Sequence, residues 1–124
     1  MKDGFIRVGA ATPAARVADP AFNAKAAVKA ATAAAASGVR VLVFPELTLT
    51  TYTCSDLFFQ QTLLDAAEDA LRVYMKRTAA LDMISFIGVP VLFHDKIYNC
   101  AAAVAGGKLL GLTAKVNLPN YNEF

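Results

Sequence analysis

VRVLVFPELTLTTYT, from Val39 to Thr53, opens as an apolar, β-branched run with little alternation and then breaks at Pro45-Glu46. A strand that reads this way suits a sheet covered on both faces. Pro45 has no N–H to give to a ladder, so the run ends there. A single carboxylate, Glu46, is left at the tip. The segments on either side set the layout. Upstream, "FIRVGAA" (Phe5 to Ala11) reads as a strand, and "ATPAARVADP" reads as a loop broken by Pro13 and Pro20. Ala21 to Ser37 is rich in the best helix former, with Lys25, Lys29 and Thr32 on one stripe that faces water and Gly38 as the C-terminal stop. Strand, helix, strand is a βαβ-like start, and a layered α/β domain is the expected architecture.

Downstream, a second helix is clearest from Thr62 to Ala80, with Asp56 as a candidate cap. Asp65, Glu68, Asp69, Arg72 and Lys76 form its wet side and Leu64, Ala67, Leu71 and Met75 its dry side. Acidic residues come early and basic ones late, which complements the helix dipole. Three strands follow. They are "MISFIGVPVLF" (Met83 to Phe93), "IYNCAAAVA" (Ile97 to Ala105) and "KLLGLTAKV" (Lys108 to Val116). His94-Asp95-Lys96 forms the first turn, and Gly106-Gly107 is a two-residue hairpin signal. The expected order is β-α-β-α-β-β-β on one mixed sheet, with helices on one face. The other face of such apolar strands also needs cover, and no helix remains to supply it.

The 124 residues are 56 % hydrophobic and 18 % charged, which argues against disorder and for a surface that something else covers. Net charge is only +2 and the 12 basic residues are scattered, so no nucleic-acid patch is expected. No apolar run reaches the ~18 residues of a membrane span. Asp3, Arg7 and Pro13 interrupt any signal-peptide core. Cys54 and Cys100 form no CxxC and read as reduced thiols of a cytoplasmic chain.

The chemistry sits at two strand ends. Glu46 lies where α/β sheets present catalytic groups, and a partly desolvated carboxylate there suits a general base. The alternative is a turn carboxylate bonded to nearby N–H groups. Lys115 ends another apolar strand. It is either a solvated edge charge or a fixed positive charge for an oxyanion. Cys100 sits mid-strand, where a thiol behaves as a small apolar residue. His94, the one histidine, reads as a solvated turn residue, and its neighbour Asp95 has no nucleophile at relay spacing. No metal-ligand cluster and no Gly-rich phosphate loop is present in the sequence.

"FPELTLTTYTCSDLF" (Phe44 to Phe58) and "AKVNLPNYNEF" (Ala114 to Phe124) together resemble the nitrilase superfamily of carbon–nitrogen hydrolases, whose members use a Glu, Lys, Cys triad. With "YNCA", the wording is most similar to the glutaminase branch found in glutamine-dependent NAD synthetases, and the likeness covers essentially the whole chain. The resemblance implies the first half of an α-β-β-α sandwich. It implies Glu46 as general base, Lys115 as stabiliser of the tetrahedral intermediate, and Tyr52 and Tyr121 as aromatic residues around a glutamine pocket. Glu123 and Phe124 would begin the segment that leads to the rest of the site. The family's nucleophilic Cys follows the lysine by some tens of residues, and neither Cys54 nor Cys100 replaces it. Residues 1–124 are therefore expected to be an N-terminal part of the domain, inactive alone, with the synthetase domain absent. L-glutamine is the implied substrate. ATP, Mg and deamido-NAD are implied only for the full enzyme, with no cofactor bound by this part. The uncovered sheet face implies homo-oligomers. Two other readings stay open: part of a stand-alone carbon–nitrogen amidase, and a noncatalytic interaction module.

Overall fold

The computed structural model describes residues 4–51 and 61–115. Asp56, the candidate cap, lies outside them. Five strands and two helices run in the expected order. They are β1 (Val8–Ala10), α1 (Pro20–Ala36), β2 (Val41–Val43), α2 (Gln61–Arg77), β3 (Ile84–Phe93), β4 (Lys96–Ala105) and β5 (Lys108–Ala114). The strands form one sheet in the order β1-β2-β3-β4-β5, parallel from β1 to β3 and antiparallel beyond.

Chain chemistry accounts for the boundaries. Pro20 does not merely break the preceding loop. It occupies the first turn of α1, where its missing N–H is no loss, and Asp19 caps the helix by accepting the Phe22 N–H at 3.2 Å. Gly38 adopts φ +85° just past the last turn, a conformation that a Cβ disfavours. His94-Asp95 and Gly106-Gly107 all have positive φ and close two-residue hairpins, so Lys96 belongs to β4 rather than to the turn.

Both helices cover the same sheet face. Ala24, Ala27 and Ala31 of α1 and Ala67, Leu71 and Tyr74 of α2 meet Leu42, Phe44, Ile87, Val89, Ala102 and Val104 of the sheet. Small side chains on α1 let the two helices approach closely. Tyr74 is fully buried, stands edge-on to Phe44 at 5.7 Å, and donates its hydroxyl proton to Ser85 Oγ at 2.7 Å. Burial pushes its phenol up to about 12.

The opposite sheet face stays open, which corrects the expectation that β2 is covered on both sides. Val8 is 65 % exposed, Val43 47 % and Ile84 39 %, and the register puts all three on that face. Burial alternates from Ile84 to Ile87 in β3 and from Cys100 to Ala105 in β4, as one-sided cover requires, while Gly88 and Pro90 are buried as well.

Candidate active site

Phe44 makes the last sheet-like bond of the β2 edge, its N–H donating to Phe86 O at 2.9 Å. Pro45 then ends the pairing, and the chain turns across β3. The turn is tied down from several sides. Leu49 N–H donates to Gly88 O at 3.1 Å, and Thr51 N–H to Leu47 O at 2.8 Å. Thr48 Oγ1 donates to Pro45 O. The buried Asn23 of α1 donates through Nδ2 to Leu49 O at 3.0 Å, and Ala18 N–H donates to Thr50 O at 3.0 Å. Leu47 is held at φ +52°, a left-handed conformation costly for a residue with a Cβ. Such strain persists where surrounding contacts over-determine the backbone, as they do here.

Gly88 is what lets the turn lie so close. A Cβ at this position would stand 2.2 Å from Leu47 N, 2.8 Å from Pro45 O and 2.9 Å from the carbonyl carbon of Glu46. Glycine inside a strand marks close backbone approach, and the approaching segment is the one that carries Glu46. The carboxylate is thereby delivered over β3 to the open sheet face, toward β4 and β5.

There it meets Lys115. Lys115 Nζ donates to Glu46 Oε1 at 2.8 Å, with both side chains about a third exposed. Asn99 of β4 donates through Nδ2 to the same oxygen at 2.9 Å, and its main-chain carbonyl accepts the Lys115 N–H at 2.8 Å. Two strand ends separated by 69 positions in sequence are brought to one point. The reason is topological: β5 runs parallel to β3, so its carboxyl end lies on the same side as that of β2. The three residues line a cavity of about 400 Å³ whose other walls include Phe86, Gly88, Ala101 and Thr113. A carboxylate and an ammonium in contact at the mouth of an apolar recess can accept a proton and stabilise an anion in one place.

The remaining candidates separate clearly. Tyr52, Tyr121, Glu123, Phe124 and Cys54 lie outside the described residues. Cys100 is buried in β4 within the helix-side core, and burial raises its thiol pKa, the reverse of what a nucleophile needs. His94 is exposed at the tip of the β3–β4 hairpin and packs edge-on against Phe93 at 4.1 Å. Among the described residues no group of three or more His, Cys, Asp or Glu is arranged to hold a metal. Asn99 and Gly88 carry no role in the sequence reading. Their signals were an amide inside an apolar strand and a glycine inside another.

A profile of the carbon–nitrogen hydrolase family matches residues 7–124. The chain is 40 % identical over 121 residues to a glutamine-dependent NAD(+) synthetase of Mycobacterium tuberculosis, covering 98 % of this chain and 18 % of that protein. It thus spans about a fifth of such relatives' length. Among solved structures, a glutamine-dependent NAD(+) synthetase from Cytophaga hutchinsonii superposes with a TM-score of 0.86 at 30 % identity, covering 93 % of this chain and 20 % of that one. An amidase from Nesterenkonia sp. shares the fold, with a TM-score of 0.77 at 24 % identity over 99 % of this chain and 47 % of the amidase. With a family profile matched over nearly its whole length, this chain belongs to the carbon–nitrogen hydrolase family.

Proposed function

We propose that this chain is the N-terminal part of the glutaminase domain of a glutamine-hydrolysing NAD synthase, an ATP-dependent ligase that amidates deamido-NAD. The observation that carries the reading is the contact between Glu46 and Lys115 on the open sheet face, 2.8 Å apart and fixed through Asn99. The likeness to glutamine-dependent NAD(+) synthetases supports the choice of glutamine.

In this mechanism Glu46 takes the proton from a cysteine thiol contributed by the longer protein. The thiolate attacks the side-chain amide carbon of glutamine. Lys115, with backbone N–H groups, stabilises the oxyanion of the tetrahedral intermediate. Glu46 returns its proton to the leaving nitrogen, ammonia departs and a thioester remains. Water then attacks with Glu46 again as base, which releases glutamate and restores the thiol. Tyr52 and Tyr121 are proposed to flank the glutamine. Neither Cys54 nor Cys100 is assigned as nucleophile, so the isolated 124 residues are expected to turn over no glutamine. ATP, Mg and deamido-NAD are assigned to the synthetase part, where ammonia is consumed, and no residue of this chain is given to them.

The uncovered sheet face has a matching role. In the longer protein it is proposed to pack against the second sheet of an α-β-β-α sandwich. In the isolated chain, exposed Val8, Val43 and Ile84 favour face-to-face pairing of two copies. No described helix is long and apolar enough to cross a membrane, and a cytoplasmic location is proposed with the NAD-forming role.

The test is isotopic. Intact protein supplied with amide-15N glutamine, ATP, Mg and deamido-NAD should yield NAD carrying 15N. Label that never reaches NAD, while unlabelled ammonia does, removes glutamine as the donor. A second reading, a stand-alone amidase, is distinguished by hydrolysis of simple amides without any NAD formation.

A further inference from the structure

Asn99 has no part in the chemistry above, yet it touches both residues that do. Its Nδ2 donates to Glu46 Oε1 at 2.9 Å, and its carbonyl accepts the Lys115 N–H at 2.8 Å. Lys115 Nζ reaches the same carboxylate oxygen at 2.8 Å. Two donors therefore converge on Oε1, and no described residue donates to Oε2.

Asn99 is 5 % exposed in β4, where an amide without a partner would be costly. Its partner is the carboxylate, which only accepts, so the NH2 end of the amide must face it. The residue type also suits the task. A neutral donor orients the carboxylate without setting a second full positive charge beside Lys115.

We propose that Asn99 is a positioning residue for the base: with Lys115 it occupies Oε1 and turns Oε2 toward the thiol whose proton it takes. The S–H bond breaks, the electron pair stays on sulfur, and the proton resides on Oε2 until it passes to the leaving nitrogen. The inference rests on the reading of Glu46 as general base.

The contact is tested without activity. In the 124-residue chain, Glu46→Gln should move the Asn99 side-chain amide resonances in 15N-correlated spectra, and an unmoved pair overturns the proposal. The role is tested in the intact protein. Asn99→Leu should lower kcat for glutamine hydrolysis by about 100-fold with KM within about threefold, the cost of a base misplaced by a fraction of its reach. Asn99→Ser keeps a donor and should recover about tenfold of the loss. Asn99→Asp supplies the signature that packing alone would not give. Glu46 and Lys115 are the charged residues lining this cavity. The introduced carboxyl donates to Glu46 only when protonated, so its activity relative to wild type should rise about tenfold between pH ~8.5 and pH ~6. A flat ratio, or wild-type kcat in Asn99→Leu, overturns the proposal. If Asn99→Leu does not fold, the Ser and Asp variants decide. Wild-type intact protein with no amide hydrolysis at all removes the underlying reading instead, and that outcome is visible before any variant is made.

Discussion

Gly88→Ala should damage this protein far more than one methyl group suggests. The added Cβ would meet three main-chain atoms, Leu47 N at 2.2 Å, Pro45 O at 2.8 Å and the Glu46 carbonyl carbon at 2.9 Å. None of these is the loose end of a side chain. For Leu47 N to retreat to an ordinary 3.4 Å, the turn must lift by about 1.2 Å. That turn is held by Leu49 to Gly88, by Asn23 to Leu49 and by Ala18 to Thr50, so it cannot lift without stretching those bonds. Overpacking of this kind costs about 1–3 kcal/mol. In a domain of this size that lowers Tm by roughly 4–12 °C, readable by circular dichroism on the isolated chain. The catalytic cost is separate. A base displaced by about 1 Å loses on the order of 100-fold in rate, so glutamine hydrolysis by the intact protein should fall by that factor even where it remains folded. An alanine variant with wild-type Tm and wild-type rate would refute the claim that Gly88 seats the Glu46 turn.

Three further outcomes are expected. Tyr74 titrates near 12 when buried and near 10 when unfolded, so the unfolded state sheds the proton first. Stability contributed by this group is therefore present below pH ~10 and lost as pH rises toward ~12, by up to roughly 3 kcal/mol, and Tyr74→Phe should flatten that alkaline decline in urea titrations. Cys100, buried with its thiol pushed up, should resist iodoacetamide in the native chain and label on unfolding, as peptide mass spectrometry would read; rapid native labelling of the Cys100 peptide would contradict its placement. The isolated chain should self-associate at micromolar concentration, and Val43→Lys, on the open face, should shift sedimentation toward monomer. A monomer before the substitution counts against face-to-face pairing.

Periodicity and punctuation made the element order readable. Alanine content and the Lys25, Lys29, Thr32 stripe place α1, the wet and dry sides place α2, although its first turn holds no acidic residue, and Gly106-Gly107 places the last hairpin. Pro20 reads as a breaker because proline disrupts a helix interior, yet proline also begins a helix well, and only the Asp19 cap distinguishes the two. β2 looked covered on both sides because apolar content records that a face wants cover, not whether this stretch of chain provides it. Glu46 and Lys115 were legible as strand-end charges. Their convergence is expected only through the family resemblance and is met by the 2.8 Å contact; strand patterns alone do not show it, since 69 positions separate the two and the sheet order brings them together. Asn99 and Gly88 escaped for a related reason. Each acts through a neighbouring strand, and single-strand patterns carry no information about what crosses over them.

The proposed mechanism requires Glu46 to move the proton, rather than merely pair with Lys115. An ion pair about a third exposed, as this one is, contributes about 0–1 kcal/mol to stability, so Glu46→Gln should fold normally. The direct measurement is the rate of glutamate release by the intact protein at saturating glutamine, wild type against Glu46→Gln. The account predicts a loss of at least about 1,000-fold with Tm shifted by only a few degrees; a folded variant that releases glutamate at the wild-type rate would contradict it.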